Sequence, residues 1–565
     1  MSESSGENTA PRPVAISVTI WLGVIVIAGF IAYSPALDND FVNWDDPAYL
    51  DTPLNWNFPA NFVDFWTTPV AGNYHPLTML TLAANYSVAG ESPRAFILTN
   101  ILIHLANSLL VFAFVWRLTD RRIWVAGITA LFFALHPMHV ESVAWIAERK
   151  DVLYSFFFLL ALIAHLKHLE SGEARDAGLT GAAFVLSLLA KPAAVVLPLC
   201  LVLIDFQRGR QFTLKRCVFY APFFLASLAM GIVTLQTQRV DESMGAPAAF
   251  DFVSHCFFAA YGFIFYIVKM FVPLQQSVFI PYPTLGESGE LPWIFSAAPF
   301  AVALVGAAAI YSLRHTRTIA FGLGFYLVTV VLVLNFVSVS HTLAAERYTY
   351  LPYVGLFFIL GSGADRLAHA AGIQAFRWPV AALGLVLALL CAGLTHQRVQ
   401  VWRNSRTLWS DVIEKFPLAA TLPYASRAHH YRDMGNRDAA LADYNTALDI
   451  DPEFVLGYVN RGAILANREE FANALSDFNR ALALNEKSAL ALDQRGRLRL
   501  RTGNTKGALG DLEAALQLEP NGVRFFGRGL ALLKLGQKAA AKRDFEEAER
   551  RNFAVEPAFM QAASR

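Results

Sequence analysis

The sequence predicts an all-α protein in two parts, a multi-pass transmembrane helical bundle of about eleven crossings followed by a C-terminal α-solenoid. Three observations predict it. Apolar runs recur from residue 14 to residue 397, the basic residues between them fall mostly on one side, and a 34-residue period governs the last third. A mean hydropathy of +0.40 with 16% charged residues is too apolar for a soluble chain of 565 residues. The formal net charge of +1 says nothing about nucleic acid, because the charges are unevenly placed rather than in excess, and no nucleic-acid partner is expected. Cys200, Cys217, Cys256 and Cys391 lie in or beside apolar segments, which argues for packing rather than a disulfide framework or a zinc site.

Residues 1–13 are polar and Pro-punctuated and read as a cytoplasmic tail without the pattern of a cleavable signal. Val14 to Tyr33 follows as about 20 apolar residues, enough at roughly 1.5 Å each to span the hydrocarbon. A long, acidic loop at 35–94 separates this run from the next. Further apolar runs occupy 95–116, 123–137, 151–167, 177–190, 192–206, 217–236, 252–272, 294–313, 318–338, 348–366 and 378–396. One set of loops holds Arg12, Arg117, Arg121, Arg122, Lys167, Arg175, Arg208, Arg210, Lys215, Arg216, Arg314, Arg317, Arg366 and Arg377, whereas the other holds Arg94, Arg149, Lys150, Arg239 and Arg347. The asymmetry appears only if 252–272 turns back or lies along the surface, so eleven crossings plus one such segment are expected. That arrangement makes the N-terminus cytoplasmic and puts everything after residue 397 outside.

Residues 398–420 read as a linker with a capping helix, "RTLWSDVIEKFP", and 421–565 as about four repeats. Ala440, Ala474 and Ala508 are 34 residues apart, and each is followed at +4 by Tyr444, Phe478 and Leu512 and at +7 by Ala447, Ala481 and Ala515. Gly462, Gly496 and Gly529 mark the preceding helices, Pro452 and Pro520 close two units, and a fourth unit (Ala541, Phe545, Ala548) follows a one-residue deletion. This is the tetratricopeptide period, in which small residues sit at helix crossings and an aromatic fills the gap to the next unit. Such a solenoid is by itself a binding surface.

The chemistry is sought in the first outside loop. "DNDFVNWDDPAYL" carries Asp45 and Asp46 side by side, about a dozen residues past the first helix. An Asp-Asp-Pro can also start a turn or cap a helix, and spacing alone leaves the two readings equal. In the same loop "FPANFVDFWTTP", with Phe58, Phe62, Phe65 and Trp66, suits a short interfacial helix. His136, His139 and Glu141 in "HPMHVE" lack the spacing of a helical zinc site, Pro137 breaks the helix, and no metal or other cofactor is expected. Asn100, His104 and Asn107 share one stripe of the second crossing and are expected to hydrogen-bond between helices.

Four motifs together carry a family resemblance: "FVNWDDPAYL", "GNYHPLTMLT", "ALHPMHVESVAWIAERKDVLYSFFFLLAL" and "AERYTYLPYVGL", in this order and followed by the repeats. The chain resembles the transmembrane and tetratricopeptide repeat-containing proteins, which are similar to protein O-mannosyltransferases and share the GT-C glycosyltransferase superfold. The resemblance implies an acidic residue soon after the first helix, acting on a polyprenyl-phosphate sugar at the outer membrane face. Asp45 and Asp46 match it. Eukaryotic members usually carry Arg before the Pro-Leu of the second motif, whereas His75 precedes Pro76 here, so the chain resembles a bacterial relative of an inner membrane.

The implied chemistry fits these residue types. A lipid phosphate is already a good leaving group, so one carboxylate suffices as base for an incoming Ser or Thr hydroxyl of an exported protein, with inversion at the sugar. Neighbouring side chains point apart, so one aspartate would be the base and the other would orient the loop. Arg347 is the first choice for the departing phosphate, because guanidinium binds phosphate in a bidentate manner; Arg149, Lys150 and Lys191 are further candidates. Glu346 and Glu148 are expected to hold the adjacent cations in place. His75, His136, His139, Glu141, Glu346 and Tyr282 are expected to line the cleft, the last from "FVPLQQSVFIPYPTLGESGELPW", which reads equally as a lid or acceptor groove and as a loop tucked against the bundle. The repeats would grip the acceptor or a partner protein. Two other readings remain: a non-catalytic membrane anchor displaying repeats, and a transferase acting on glycan or lipid acceptors.

Overall fold

The computed structural model describes residues 12–50, 62–211, 213–238, 250–286, 289–336, 342–369 and 377–564, so Asp51, Phe58 and Arg239 lie outside the described residues. Among the described residues there is no strand, only isolated bridges at Val70–Asn73 and Ile280–Ala344. The chain divides into two compact units, Met1–Asp411 and Val412–Arg565.

In the first unit every apolar run forms a helix. Among the described residues seven helices are long and apolar enough to cross a membrane, or eight if the bent pair Ile123–Leu135 and Pro137–Ala144 is one span. Pro192–Gln207 and Thr318–Val333 are shorter apolar helices, and Ala174–Ala190 and Tyr353–His369 have 17 residues each. Their outward faces are apolar: Ile27, Leu228, Phe300, Leu304, Leu385 and Leu389 are all exposed. A surface of that kind suits lipid and not water, and the unit is a multi-pass membrane bundle.

Side-chain contacts sort the helix ends into two groups. At one end Arg117 pairs with Glu170 at 3.2 Å, Arg122 with Asp365 at 3.6 Å, Arg208 with Asp120, and Arg317 donates to the Phe206 carbonyl at 3.2 Å. These are the residues of the basic loop set. At the other end Asp46 meets Ala147, Thr78 meets Ala190, Lys191 meets Glu148 and Arg347 meets Glu141. The helix Phe252–Phe271 is unbroken, so it does not turn back within itself. Its first turn reaches Asn335 (His255 Nδ1 to the carbonyl, 3.0 Å), its middle Ala345 (Tyr266 hydroxyl, 3.2 Å), and its last turn His136 (Met270 carbonyl, 3.0 Å). All three partners sit at the second end of the bundle. The helix thus bonds to that end in its first, middle and last turns, and its length and composition would also suffice to cross.

The stripe Asn100, His104 and Asn107 bonds between helices. Asn100 donates to the Trp145 carbonyl (3.1 Å), Asn107 to the Val152 carbonyl (2.8 Å), and His104 meets the Tyr350 hydroxyl at 2.8 Å. Buried amides and imidazoles in an apolar bundle need such partners.

The second unit is built of antiparallel helix pairs: Thr421–Asp433 with Arg437–Ile450, Val455–Asn467 with Phe471–Leu484, Ala489–Arg501 with Thr505–Leu518, and Gly522–Lys534 with Lys538–Arg550, followed by Pro557–Ser564. The repeat alanines are fully buried. One bidentate ion pair recurs within each pair of helices: Arg427–Asp443, Arg461–Asp477, Arg495–Asp511 and Arg528–Asp544, at 2.7–3.0 Å. A Cβ on Gly529 would lie 2.5 Å from Phe545 and one on Gly462 2.8 Å from Phe478, so glycine is what lets the paired helices touch. For Gly529→Ala the overpacking cost of about 1–3 kcal/mol exceeds the helix-propensity gain of about 1 kcal/mol. Hydrogen exchange across residues 522–550 of the full chain should accelerate, and unchanged exchange would contradict that contact.

Candidate active site

The site is built at the second end of the bundle by the loop after the first helix, the bend at 136–150, the Ala190–Lys191 break and the segment before Tyr353. Local sequence explains each piece. Pro47 follows Asp46 and starts a one-turn helix, Asp46–Leu50. Pro137 ends Ile123–Leu135, and the chain then runs through short turns, Pro137–His139, Val140–Ala144 and Ile146–Glu148, before Arg149–Ser171 begins. Pro192 stops Ala174–Ala190 and leaves Lys191 at the break.

The two aspartates divide their work. Asp46 is buried, and its two carboxylate oxygens accept the backbone N–H groups of Val42 (2.9 Å) and Ala147 (3.0 Å). Burial pushes its carboxyl up to about 7, against these two donors, which favour the charged form. Asp46 thus joins its own loop to the 136–150 bend. Asp45 is half-buried; burial raises its carboxyl, while Lys150 and Arg347 act in the opposite direction. Its carboxyl lies in the field of the site's cations.

Those cations form one network. Glu148, almost fully buried, meets Lys150 at 3.3 Å, Arg347 at 3.4 Å and Lys191 at 3.5 Å. Arg347 also pairs with Glu141, whose other oxygen accepts the Arg347 backbone N–H at 3.0 Å. Lys191 pairs with Asp151, and Lys150 donates to the Tyr49 hydroxyl at 3.0 Å. His75 stacks on Tyr49 with ring centroids 5.4 Å apart, and neither of its ring nitrogens has a hydrogen-bond partner. Burial, with Lys150 and Lys191 nearby, pushes His75 down to about 3, so it is neutral at this edge of the network.

Tryptophans floor the site. Trp44, next to Asp45, stacks on Trp145 (5.0 Å) and packs on Trp409 (5.2 Å), and Trp145 stacks on Trp402 (5.3 Å). The Arg347 guanidinium lies 6.0 Å from the Trp44 ring centre and 5.6 Å from that of Trp145, a cation–π arrangement worth roughly 1–2 kcal/mol when desolvated. An apolar hollow of about 300 Å³ between Phe157, Leu160, Leu179 and Leu186 opens elsewhere on the bundle and takes no part in this cluster.

Other expected site residues lie apart. Arg149 is fully buried and points into the bundle, bonded to Asn100 and the Phe96 carbonyl (2.8 Å); Glu148 holds its neighbours instead. Glu346 does not hold Arg347 but is clasped by Arg398 at 2.7 Å. His136 and His139 do not line the site. Burial places them in an aromatic nest with Tyr353 and Phe357, where His136 bonds the Met270 carbonyl and His139 the Phe133 carbonyl at 2.9 Å. Glu141 meets Arg347 rather than an open cleft. Tyr282 packs against Phe250 and Phe258, and its loop joins the Arg347 segment through Leu343, which donates to the Ile280 carbonyl at 2.8 Å. Sequence reasoning missed Asp151, Tyr49, Arg398 and the tryptophans. Only Asp151, next to Lys150 in "AERKD", had a local signal.

Comparisons with known proteins bear on both units. A family model described as TPR repeat matches residues 428–468. The chain is 24% identical over 511 residues to human "Protein O-mannosyl-transferase TMTC1", covering 78% of this chain and 56% of that protein. It is 26% identical over 500 residues to mouse "Protein O-mannosyl-transferase TMTC3", covering 79% and 53%. A crystal structure of ArnT from Cupriavidus metallidurans bound to undecaprenyl phosphate aligns with 15% identity and a TM-score of 0.36, covering 80% of this chain and 79% of that one. The chain spans about half the length of the curated relatives it matches. Over three quarters of its own length, then, this chain is similar in sequence to animal protein O-mannosyl-transferases, with tetratricopeptide repeats after a membrane bundle.

Proposed function

We propose that the chain is a membrane glycosyltransferase that moves mannose from a polyprenyl phosphate to Ser or Thr hydroxyls of exported proteins, with inversion. The observation that carries this reading is the division between the aspartates. Both oxygens of Asp46 are occupied by backbone N–H groups, whereas Asp45 is only partly buried, in the field of Lys150 and Arg347. Asp45 is the base. It takes the hydroxyl proton as the oxygen attacks the anomeric carbon, and the bond from that carbon to the phosphate oxygen breaks. The leaving lipid phosphate is received by Arg347, Lys150 and Lys191, where it takes the place of carboxylates that now engage them. No metal is needed in this scheme. The relatives' name, protein O-mannosyl-transferase, supports the reaction class. The N-terminus is cytoplasmic, the site and repeats face the opposite side of a bacterial inner membrane, and the repeats hold the acceptor chain or a partner protein.

The test is purified chain in liposomes, with polyprenyl-phosphate mannose and a Ser/Thr peptide. Transfer is expected, with a rate that falls on acidification. Because Asp45 is raised above the ordinary carboxylate value of 3.8, the acid limb should lie above that pH. A scaffold would transfer nothing; a transferase for other acceptors would leave the peptide unmodified but consume donor when given glycan or lipid.

A further inference from the structure

The Asp45 loop is held from two directions, and only one of them belongs to the bundle's own bend. Asp46 fastens it to Ala147. From the other direction come residues at and after the end of the last crossing. Asp40 N–H donates to the Arg403 carbonyl at 2.8 Å, Asn39 Nδ2 to the Val399 carbonyl at 3.2 Å, and Asn43 N–H to the Ser405 hydroxyl at 2.9 Å. The Trp409 indole N–H donates to Asn43 Oδ1 at 2.9 Å, and its ring packs on Trp44. Ser405 and Trp409 are both almost completely buried on the helix Ser405–Lys415. Asp411 of the same helix meets Arg398 at 2.9 Å, and Arg398 clasps Glu346, the residue before Arg347.

We infer that Trp409 is a positioning residue for Asp45: its bond to Asn43 and its packing on Trp44 fix the loop register that presents the Asp45 carboxylate to the Arg347–Lys150 network. The inference rests on the reading of Asp45 as the base. Residues 39–45 have no helix of their own, so their path is set by these clasps. Trp44 is gripped between Trp145 and Trp409, and Asp45 follows it directly. A displacement of about 1 Å at a base costs on the order of a hundredfold in rate. The helix earlier read as a cap for the repeats therefore has a face committed to the site.

The test uses full-length protein in liposomes. Trp409→Phe keeps a ring on Trp44 and removes the N–H; Ser405→Ala removes the acceptor of Asn43 and serves as the second variant should the first fold poorly. For Trp409→Phe, kcat is expected to fall about ten- to a hundredfold. KM for the lipid donor should stay within about twofold, and the acid limb should move to higher pH as Asp45 loses its cations. In an Asp45→Asn background the same change should have no further effect on the residual rate, because there is no base left to place. Wild-type kcat in both single variants, or an equal fold loss with and without Asp45, would overturn the inference while leaving the proposed function intact. No transfer by the wild type, or full activity of Asp45→Asn, would overturn both.

Discussion

Asp45→Asn is expected to slow sugar transfer by about two to four orders of magnitude, the contribution of a positioned general base. The amide keeps the size and the backbone of the loop but cannot take the hydroxyl proton. Because among the described residues no backbone group bonds to the Asp45 side chain, the variant should melt with the wild type and bind the lipid phosphate as well or slightly better, with one negative charge gone near Lys150 and Arg347. Asp46→Asn should behave differently. Two N–H donors converge on the two oxygens of Asp46, and an amide offers only one acceptor. Either Val42 or Ala147 would face an NH2 group, at a cost of about 1–3 kcal/mol for the unmet buried donor. Its thermal midpoint should drop along with its rate. Transfer rates and melting curves for the two variants, side by side, check this. A thermally silent, inactive Asp46→Asn beside an active Asp45→Asn would assign the base to Asp46.

Glu148→Gln should be the most destabilising conservative change at the site. One carboxylate touches three cations, Lys150, Lys191 and Arg347, and is 2% exposed. Removing it leaves Glu141 and Asp151 as the carboxylates paired with those three charges, in surroundings too dry to solvate the excess. Losing one member of such a buried set typically costs about 3–5 kcal/mol, far more than an exposed pair. The loss should be partly restored by an anion of the right shape. Thermal unfolding in detergent with and without polyprenyl phosphate measures both effects. A larger upward shift with the lipid in Glu148→Gln than in wild type is expected. An unchanged midpoint for the variant would mean that Glu148 is not the hub of the network.

Much of the architecture was legible because periodicity and charge act locally. Each apolar run became a helix, and the 34-residue spacing of Ala440, Ala474 and Ala508 set the solenoid. For 252–272, the need for arginines to reach water on a consistent side suggested a segment that turns back or lies along the surface; it is one unbroken helix whose first, middle and last turns bond to the second end of the bundle. The aspartate pair and the Arg347, Lys150 and Lys191 cluster could be nominated from motifs. Partner choice was not legible, because adjacency in sequence is a poor guide where the chain turns in tight 3-10 steps. Glu346 precedes Arg347 yet faces Arg398, and Arg149 follows Glu148 yet points away from it. Successive residues of such a turn diverge by about a third of a revolution, which sends neighbours to different sides. His136 and His139 misled for a related reason. Pro137 looked like the edge of a cleft, but the bend folds both rings inward against Tyr353 and Phe357. The tryptophan floor joins residues 44, 145, 402 and 409, and no spacing rule links positions so far apart.

The helix Phe252–Phe271 has a mechanical consequence. It bonds to one end of the bundle in its first, middle and last turns, with Phe252, Val253, Val268 and Phe271 exposed, and a helix held along a membrane surface in this way would sink its apolar side a few ångströms into a leaflet. It acts as a float: bobbing of the bundle along the bilayer normal would lift those rings into water or drag the helix backbone into hydrocarbon, and both are penalised. The depth of Arg347 relative to the phospholipid headgroups would thereby be held nearly constant, and the phosphate of the proposed isoprenoid donor, diffusing in the plane, would arrive at the level of the guanidinium.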